Sequence, residues 1–152
     1  MNILKVLTQN KIIGNLGEKE AAKFLRRKGY RILERNYVAD SAEIDIIAQN
    51  RDVTAFVEVK TRSVEALGEK QSRPAEAVTP EKQRHIIKAA SHYIARHSSD
   101  TRLRLDVIEV YLEDGVTGKR VTKINHIESA FNINSAFDRG YAIRRHKEES
   151  NL

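Results

Sequence analysis

The 152-residue chain contains no cysteine. Disulfides and thiolate-based zinc sites are thereby excluded, and a reducing cytoplasm is the default compartment. No apolar run approaches the roughly 20 residues that cross a bilayer, so neither a transmembrane helix nor a membrane partner is expected. The opening segment, Met1 to Lys11, carries Lys5 and Lys11 around a short apolar patch. It lacks the long apolar stretch and small-residue cleavage site of a secretory signal. Internal repeats and low-complexity tracts are absent too.

What remains is an ordinary globular balance, 40% hydrophobic and 32% charged. The length favours a single domain with one core. The net charge of +6 gives a positive field that favours polyanions such as nucleic acid or an anionic surface.

A helix is predicted over roughly Asn15 to Lys28. Ala21, Ala22 and Leu25 fall on one stripe, Lys19, Lys23, Arg26 and Arg27 on the opposite side, and Gly29 supplies a C-terminal stop. A short strand follows near Tyr30 to Asn36. Two β-rich runs, Ala42 to Ala48 and Val53 to Thr61, flank Gln49-Asn50-Arg51-Asp52 and read as an antiparallel hairpin. Arg62 to Val78, with Gly68 and Pro74, reads as a mobile loop. Thr79-Pro80-Glu81 starts a second helix, since threonine caps, proline fits the first turn and glutamate suits the dipole. This helix runs to about His97 with Ile86, Ile87, Ala90 and Ile94 as its stripe. Strands over Arg102 to Leu112 and Lys119 to Ile127 follow, separated by a turn at Gly115 and Gly118. The fold class is α/β (α+β), with helices flanking a mixed sheet of about five strands. Residues 1–13 form an N-terminal extension, 14–137 the domain, and 138–152 a polar, basic tail.

The hairpin carries the most informative charges. Alternation places Glu43, Asp45 and Ile47 on one face of its first strand, and Phe56, Glu58 and Lys60 on one face of its second. A loop centred on Asn50 and Arg51 sets Asp45 opposite Phe56 and leaves Asp45 and Glu58 diagonal, roughly 5–7 Å apart. Two carboxylates about 5.5 Å apart repel by roughly 3 kcal/mol at an effective dielectric near 20. Lys60 offsets part of that, and a divalent cation would offset more, hard oxygen ligands suiting Mg²⁺ or Mn²⁺. The competing reading is a plain solvated sheet face.

Gly17-Glu18 on a helix, Glu43-Ile44-Asp45-Ile46-Ile47 and Val57-Glu58-Val59-Lys60-Thr61-Arg62 together resemble the uncharacterised YraN-like bacterial family, UPF0102. So do Gly29 to Tyr37, Glu76-Ala77-Val78, Lys82-Gln83 and Asp106-Val107-Ile108. That family is similar to archaeal Holliday junction resolvases of the PD-(D/E)XK nuclease superfamily. The resemblance, covering about residues 14 to 131, implies a restriction-endonuclease-like core. It further implies that Asp45, Glu58 and the Val59 carbonyl bind Mg²⁺ or Mn²⁺, and that Lys60 orients the attacking water. Glu18 would complete the acidic cluster and Gln83 would support the site. Ala42 departs from the family, which carries glycine before the Glu-Ile-Asp run; alanine does not cheaply occupy a positive-φ bulge, and a displaced bulge would misplace Asp45.

Each residue has a structural alternative. Asn15-Leu16-Gly17-Glu18 can be a capping box. Gln83 can be a boundary residue, and Asp106 can pair with Arg104. His85, His92, His97 and His126 read as surface or boundary residues. Lys82, Arg84, Lys88 and Arg96 form either a solvated helix face or, with Arg62, phosphate contacts. The leading expectation is a metal-dependent endonuclease acting on DNA rather than RNA, on branched or damaged substrates. The alternatives are a non-catalytic nucleic-acid-binding module and a scaffold with a vestigial acid cluster. Related junction-cleaving enzymes are dimers, which leaves a homodimer open.

Overall fold

The computed structural model describes residues 2–64 and 78–131. Residues 65–77 of the predicted loop and the predicted tail lie outside them. The order is α1 (Ile3–Arg27), β1 (Arg31–Ala39), β2 (Ala42–Gln49), β3 (Val53–Ser63), α2 (Pro80–Arg96), β4 (Arg102–Gly115) and β5 (Gly118–Ile127). The five strands lie in chain order in one mixed sheet. All neighbours are antiparallel except β3 and β4, the parallel pair joined through α2.

Alternate residues of the central strands face opposite helices. Ala55, Val57, Ile108 and Val110 pack with Ala21, Ala22 and Leu25 of α1. Phe56, Leu105 and Val107 pack with Ile86, Ala89, Ala90 and Tyr93 of α2. Both faces of the sheet centre are covered, which is why β3 reads as a nearly continuous apolar run. The α2 stripe is rotated from the expected one: Ala89 and Tyr93 are buried, while Ile87 and Ile94 are half-buried.

Helix α1 begins at Ile3, with Asn2 accepting from the Leu4 N–H at 3.0 Å, and passes residue 13 without a break. The start predicted at Asn15 is therefore corrected, and Glu18 lies mid-helix rather than in a capping box. The first turns bury no side chain fully: Ile3, Leu4, Leu7 and Ile12 are exposed, so no burial stripe marks them. The helix ends as expected at Gly29, whose φ of 92° places it in the left-handed region. There the Tyr30 N–H reaches the Leu25 carbonyl and the Gly29 N–H the Arg26 carbonyl, each at 3.0 Å.

At Gly17 the backbone of α1 comes close to β3. A Cβ there would lie 2.0 Å from Thr61 Oγ1 and 3.1 Å from Thr61 Cβ. Gly17→Ala should therefore destabilise the fold. Overpacking of this kind costs about 1–3 kcal/mol, against roughly 1 kcal/mol that alanine gains over glycine in a helix. Thr61→Ala in the same chain should restore part of the loss in urea unfolding. A Gly17→Ala protein more stable than wild type would contradict this seating of α1.

The β1–β2 connection is a two-residue turn, with Asp40 and Ser41 at φ 47° and 63° and Ala39 opposite Ala42. Positive φ falls on the turn, so Ala42 is an ordinary buried strand residue and its departure from glycine displaces nothing. The β2–β3 hairpin keeps the expected parity but shifts by two residues. Ile47, not Asp45, lies opposite Phe56. Asn50 is the cause: its Oδ1 accepts from the N–H groups of Asp52 (3.0 Å) and Val53 (2.8 Å), moving the turn toward Arg51-Asp52.

Candidate metal and phosphate site

Where the ladder between β2 and β3 stops, at Ile46 opposite Val57, the acids come together. Continuing that register by one step sets Asp45 beside Glu58, directly across rather than diagonally. The strands part here: Asp45 Oδ2 takes the Val59 N–H at 2.7 Å in place of a backbone carbonyl. The face alternation of β2 slips at the same point, Ile44 packing on the α2 side and Ile46 on the α1 side. N–H and C=O of one strand residue point the same way, so the Val59 carbonyl opens toward Asp45.

Glu58 is 6% exposed, and its Oε2 has no hydrogen-bond partner among the described residues. Lys60 Nζ stands 3.6 Å and Lys82 Nζ 3.9 Å from Oε1. Burial, then the Asp45 carboxylate, push Glu58 up from its ordinary 4.5 to about 7, against the pull of Lys82 and Lys60. Glu18 is half-buried and is also raised, by burial first and then by Asp45. Asn36, oriented with its amide nitrogen toward the acids, donates to Glu18 Oε2 at 2.9 Å and Glu43 Oε1 at 3.0 Å.

Asp45, Glu58, Glu18 and Lys60 are thus gathered on one end of the sheet, with Lys82 added from α2. Among the described residues, no three His, Asp or Glu side chains form a preformed cage. The donor set nonetheless fits a hard cation. Two carboxylates, one of them with a buried oxygen that has no partner among the described residues, and a backbone carbonyl match the one or two carboxylates plus waters that Mg²⁺ usually takes.

The other predicted residues divide. Gln83 Nε2 donates to the Val78 carbonyl at 2.9 Å, so its side chain secures the start of α2 beside the Thr79 cap. Arg84 and Lys88 face solvent on α2. Arg62 Nε lies 2.7 Å from Glu109 Oε2. Asp106 is structural, as its pairing with Arg104 predicts: Arg104 Nε and Nη2 each lie 2.8 Å from it. His126, expected at the surface or boundary, is a half-buried boundary residue whose side chain turns inward. Its side chain is 3% exposed and its Nε2 meets Asp106 at 2.8 Å. The other described histidines stay at the boundary or surface, His92 meeting the Tyr37 hydroxyl and His97 stacking on Tyr93.

Asn36, Glu43 and Glu109 were not singled out as site residues. Asn36 had a faint signal, an asparagine inside a strand, and it adopts φ 51°, a conformation that asparagine tolerates. Glu109 shares the face of Leu105 and Val107 by simple alternation.

The profile of the uncharacterised protein family UPF0102 matches residues 17–110. A UPF0102 protein of Chlorobium phaeobacteroides is 47% identical over 121 residues, 78% of this chain and 93% of its own length. One of Alkaliphilus oremlandii is 46% identical over 125 residues, 80% and 99% of the two chains. One of Flavobacterium psychrophilum is 38% identical over 125 residues, 82% and 98%. The matched segment runs from the Gly17–Thr61 contact through Asp45, Glu58, Lys60 and Lys82 into β4, and the chain belongs to the UPF0102 family.

Proposed function

We propose that this protein is a metal-dependent endonuclease that hydrolyses DNA phosphodiesters, with branched or damaged DNA as the substrate class. The observation that carries the reading is the adjacency of Asp45 to a buried Glu58 whose Oε2 lacks a partner among the described residues, with two lysines beside it. A like-charged pair in a sheet is costly unless it does something.

Asp45, Glu58 and the Val59 carbonyl would hold a Mg²⁺ or Mn²⁺ ion, which supplies charge neutralisation at the phosphate and a water acidified toward neutral pH. Lys60 Nζ, reaching into the site from the same strand face as Glu58, orients the attacking water and donates to a non-bridging phosphate oxygen as charge builds there. Water oxygen bonds to phosphorus, the bond to the leaving oxygen breaks, and a proton returns to that oxygen. Lys82 binds the phosphate from the α2 side. Glu18, held by Asn36, adds a further acceptor at the edge of the cluster. The absence of cysteine fits a reducing cytoplasm, and no helix of the described residues is long and apolar enough to cross a membrane.

The test is cleavage of duplex, flapped and four-way DNA with Mg²⁺ or Mn²⁺, by wild type and by Lys60→Ala. Wild type should cleave at least one of these and Lys60→Ala should be slower by about 10²- to 10³-fold. Equal activity in both proteins, or none in either, would overturn the reading. DNA affinity without cleavage would mark a binding module instead.

A further inference from the structure

Beyond Glu58 and Lys60, the α2-side face of the sheet carries a second polar cluster that the proposed chemistry does not use. Arg62 follows Lys60 by two residues and so lies about 7 Å further along β3 on the same face. Across the parallel pair stand Glu109 and Tyr111 of β4, and beyond them Asn125 and Lys123 of β5, paired respectively with Glu109 and Tyr111. Glu109 is 9% exposed and Tyr111 7%.

The hydrogen bonding of Glu109 is unusual for a simple salt bridge. Its Oε1 accepts from Asn125 Nδ2 at 3.2 Å, and its Oε2 accepts from the Tyr111 hydroxyl at 3.3 Å. Arg62 Nε also approaches Oε2, at 2.7 Å, yet it is buried and out of line for a hydrogen bond. A carboxylate that already has two donors can lose the neighbouring Arg62 without being left bare of hydrogen bonds. Arg62 Nε faces the carboxylate at 2.7 Å without hydrogen-bond alignment, and the fork of a guanidinium suits phosphate better. Lys123 Nζ, 5.9 Å from the Tyr111 ring centroid, keeps the patch positive.

The geometry points to Arg62 as a clamp for the phosphate neighbouring the one held at Lys60, with Glu109 as a positioning residue that keeps the guanidinium extended until phosphate replaces it. This deepens the nuclease reading and rests on it for the nature of the ligand, a nucleic-acid backbone. Arg62 and Lys60, one strand step apart, would then fix the direction in which the backbone crosses the acids. If the Arg62–Glu109 pair were merely structural, separating the two would weaken the fold and leave the salt dependence of DNA binding as it was.

The experiment is affinity for a short labelled DNA duplex in EDTA, measured across a salt series, with folding checked by circular dichroism. Arg62→Ala should make the log–log salt slope shallower by about one, roughly fourfold less loss of affinity over a fourfold rise in salt. Arg62→Lys should keep the slope while binding more weakly, and it carries the test if the alanine variant does not fold. Glu109→Gln should bind several-fold more tightly with the slope unchanged. An unaltered slope in folded Arg62→Ala, weaker binding by Glu109→Gln, or a wild type that does not bind DNA would each overturn the proposal. Absence of Mg²⁺-dependent cleavage would sink the nuclease reading alone and leave the binding result standing.

Discussion

Glu58→Gln is expected to lower metal-dependent cleavage by about 10²- to 10³-fold and, at the same time, to stabilise the metal-free protein above neutral pH. Both effects come from one arrangement. In the unfolded chain Glu58 loses its proton near 4.5, whereas the folded protein keeps it to about 7. Between those values the folded state holds the extra proton, so stability falls as pH rises through the window. Below 4.5 this cost is absent; above 7 it is complete, about 3 kcal/mol. Glutamine removes the titration and can donate its amide to Asp45, which an ionised glutamate cannot do. Urea unfolding in EDTA at pH 8 and at pH 5 should therefore show a gain for the variant at pH 8 that shrinks at pH 5. A variant less stable than wild type at pH 8, or one that still cleaves at the wild-type rate, would contradict the account.

Asp106→Ala should produce the largest loss of stability of any single change at a polar residue considered, about 3–5 kcal/mol. Asp106 is fully buried and accepts from Arg104 twice, from His126 Nε2 and from the Ser129 N–H at 3.0 Å. Burial raises its carboxyl, but the hydrogen bonds from His126, Arg104 and Ser129 outweigh that and hold it below the ordinary carboxylate range. Its contribution is thus present above the unfolded pKa and is lost as pH falls through the folded one. Removing it leaves the Arg104 guanidinium, itself 7% exposed, with the Tyr30 hydroxyl at 2.7 Å and only the more exposed Glu128 carboxylate, 3.5 Å from Nη1, as an ionic partner. The double change Arg104→Met with Asp106→Leu should lose less than Asp106→Ala alone, because no uncompensated buried charge remains. A loss below about 1 kcal/mol for Asp106→Ala in urea unfolding would show that the network is not what ties β5 and Ser129 to the sheet.

Much of this fold was legible because local chemistry and burial agree. Thr79-Pro80-Glu81 starts α2 as its residue types require, and Gly29 stops α1 in the left-handed conformation expected of it. The hairpin was legible in parity but not in register, since parity follows from alternation whereas register turned on the Asn50 side chain binding two N–H groups. The first turns of α1 were illegible for a physical reason: Ile3, Leu4 and Leu7 are exposed, so no apolar stripe separates helix from extension. The inward turn of the His126 side chain was not legible, because a histidine carries no sign of its depth; its place follows from Asp106 on the neighbouring strand β4. Of the acids, Asp45 and Glu58 could be paired from sequence, but the slip in β2 that brings Glu18 of α1 within the influence of Asp45 depends on three-dimensional packing.

The claim on which the rest depends is that Asp45 and Glu58 converge to hold a cation. Calorimetric titration of Mn²⁺ into wild type and into Asp45→Asn tests it most directly. Saturable binding by wild type that disappears in Asp45→Asn is the predicted result. Equal binding by the two proteins, or none by wild type, would contradict it.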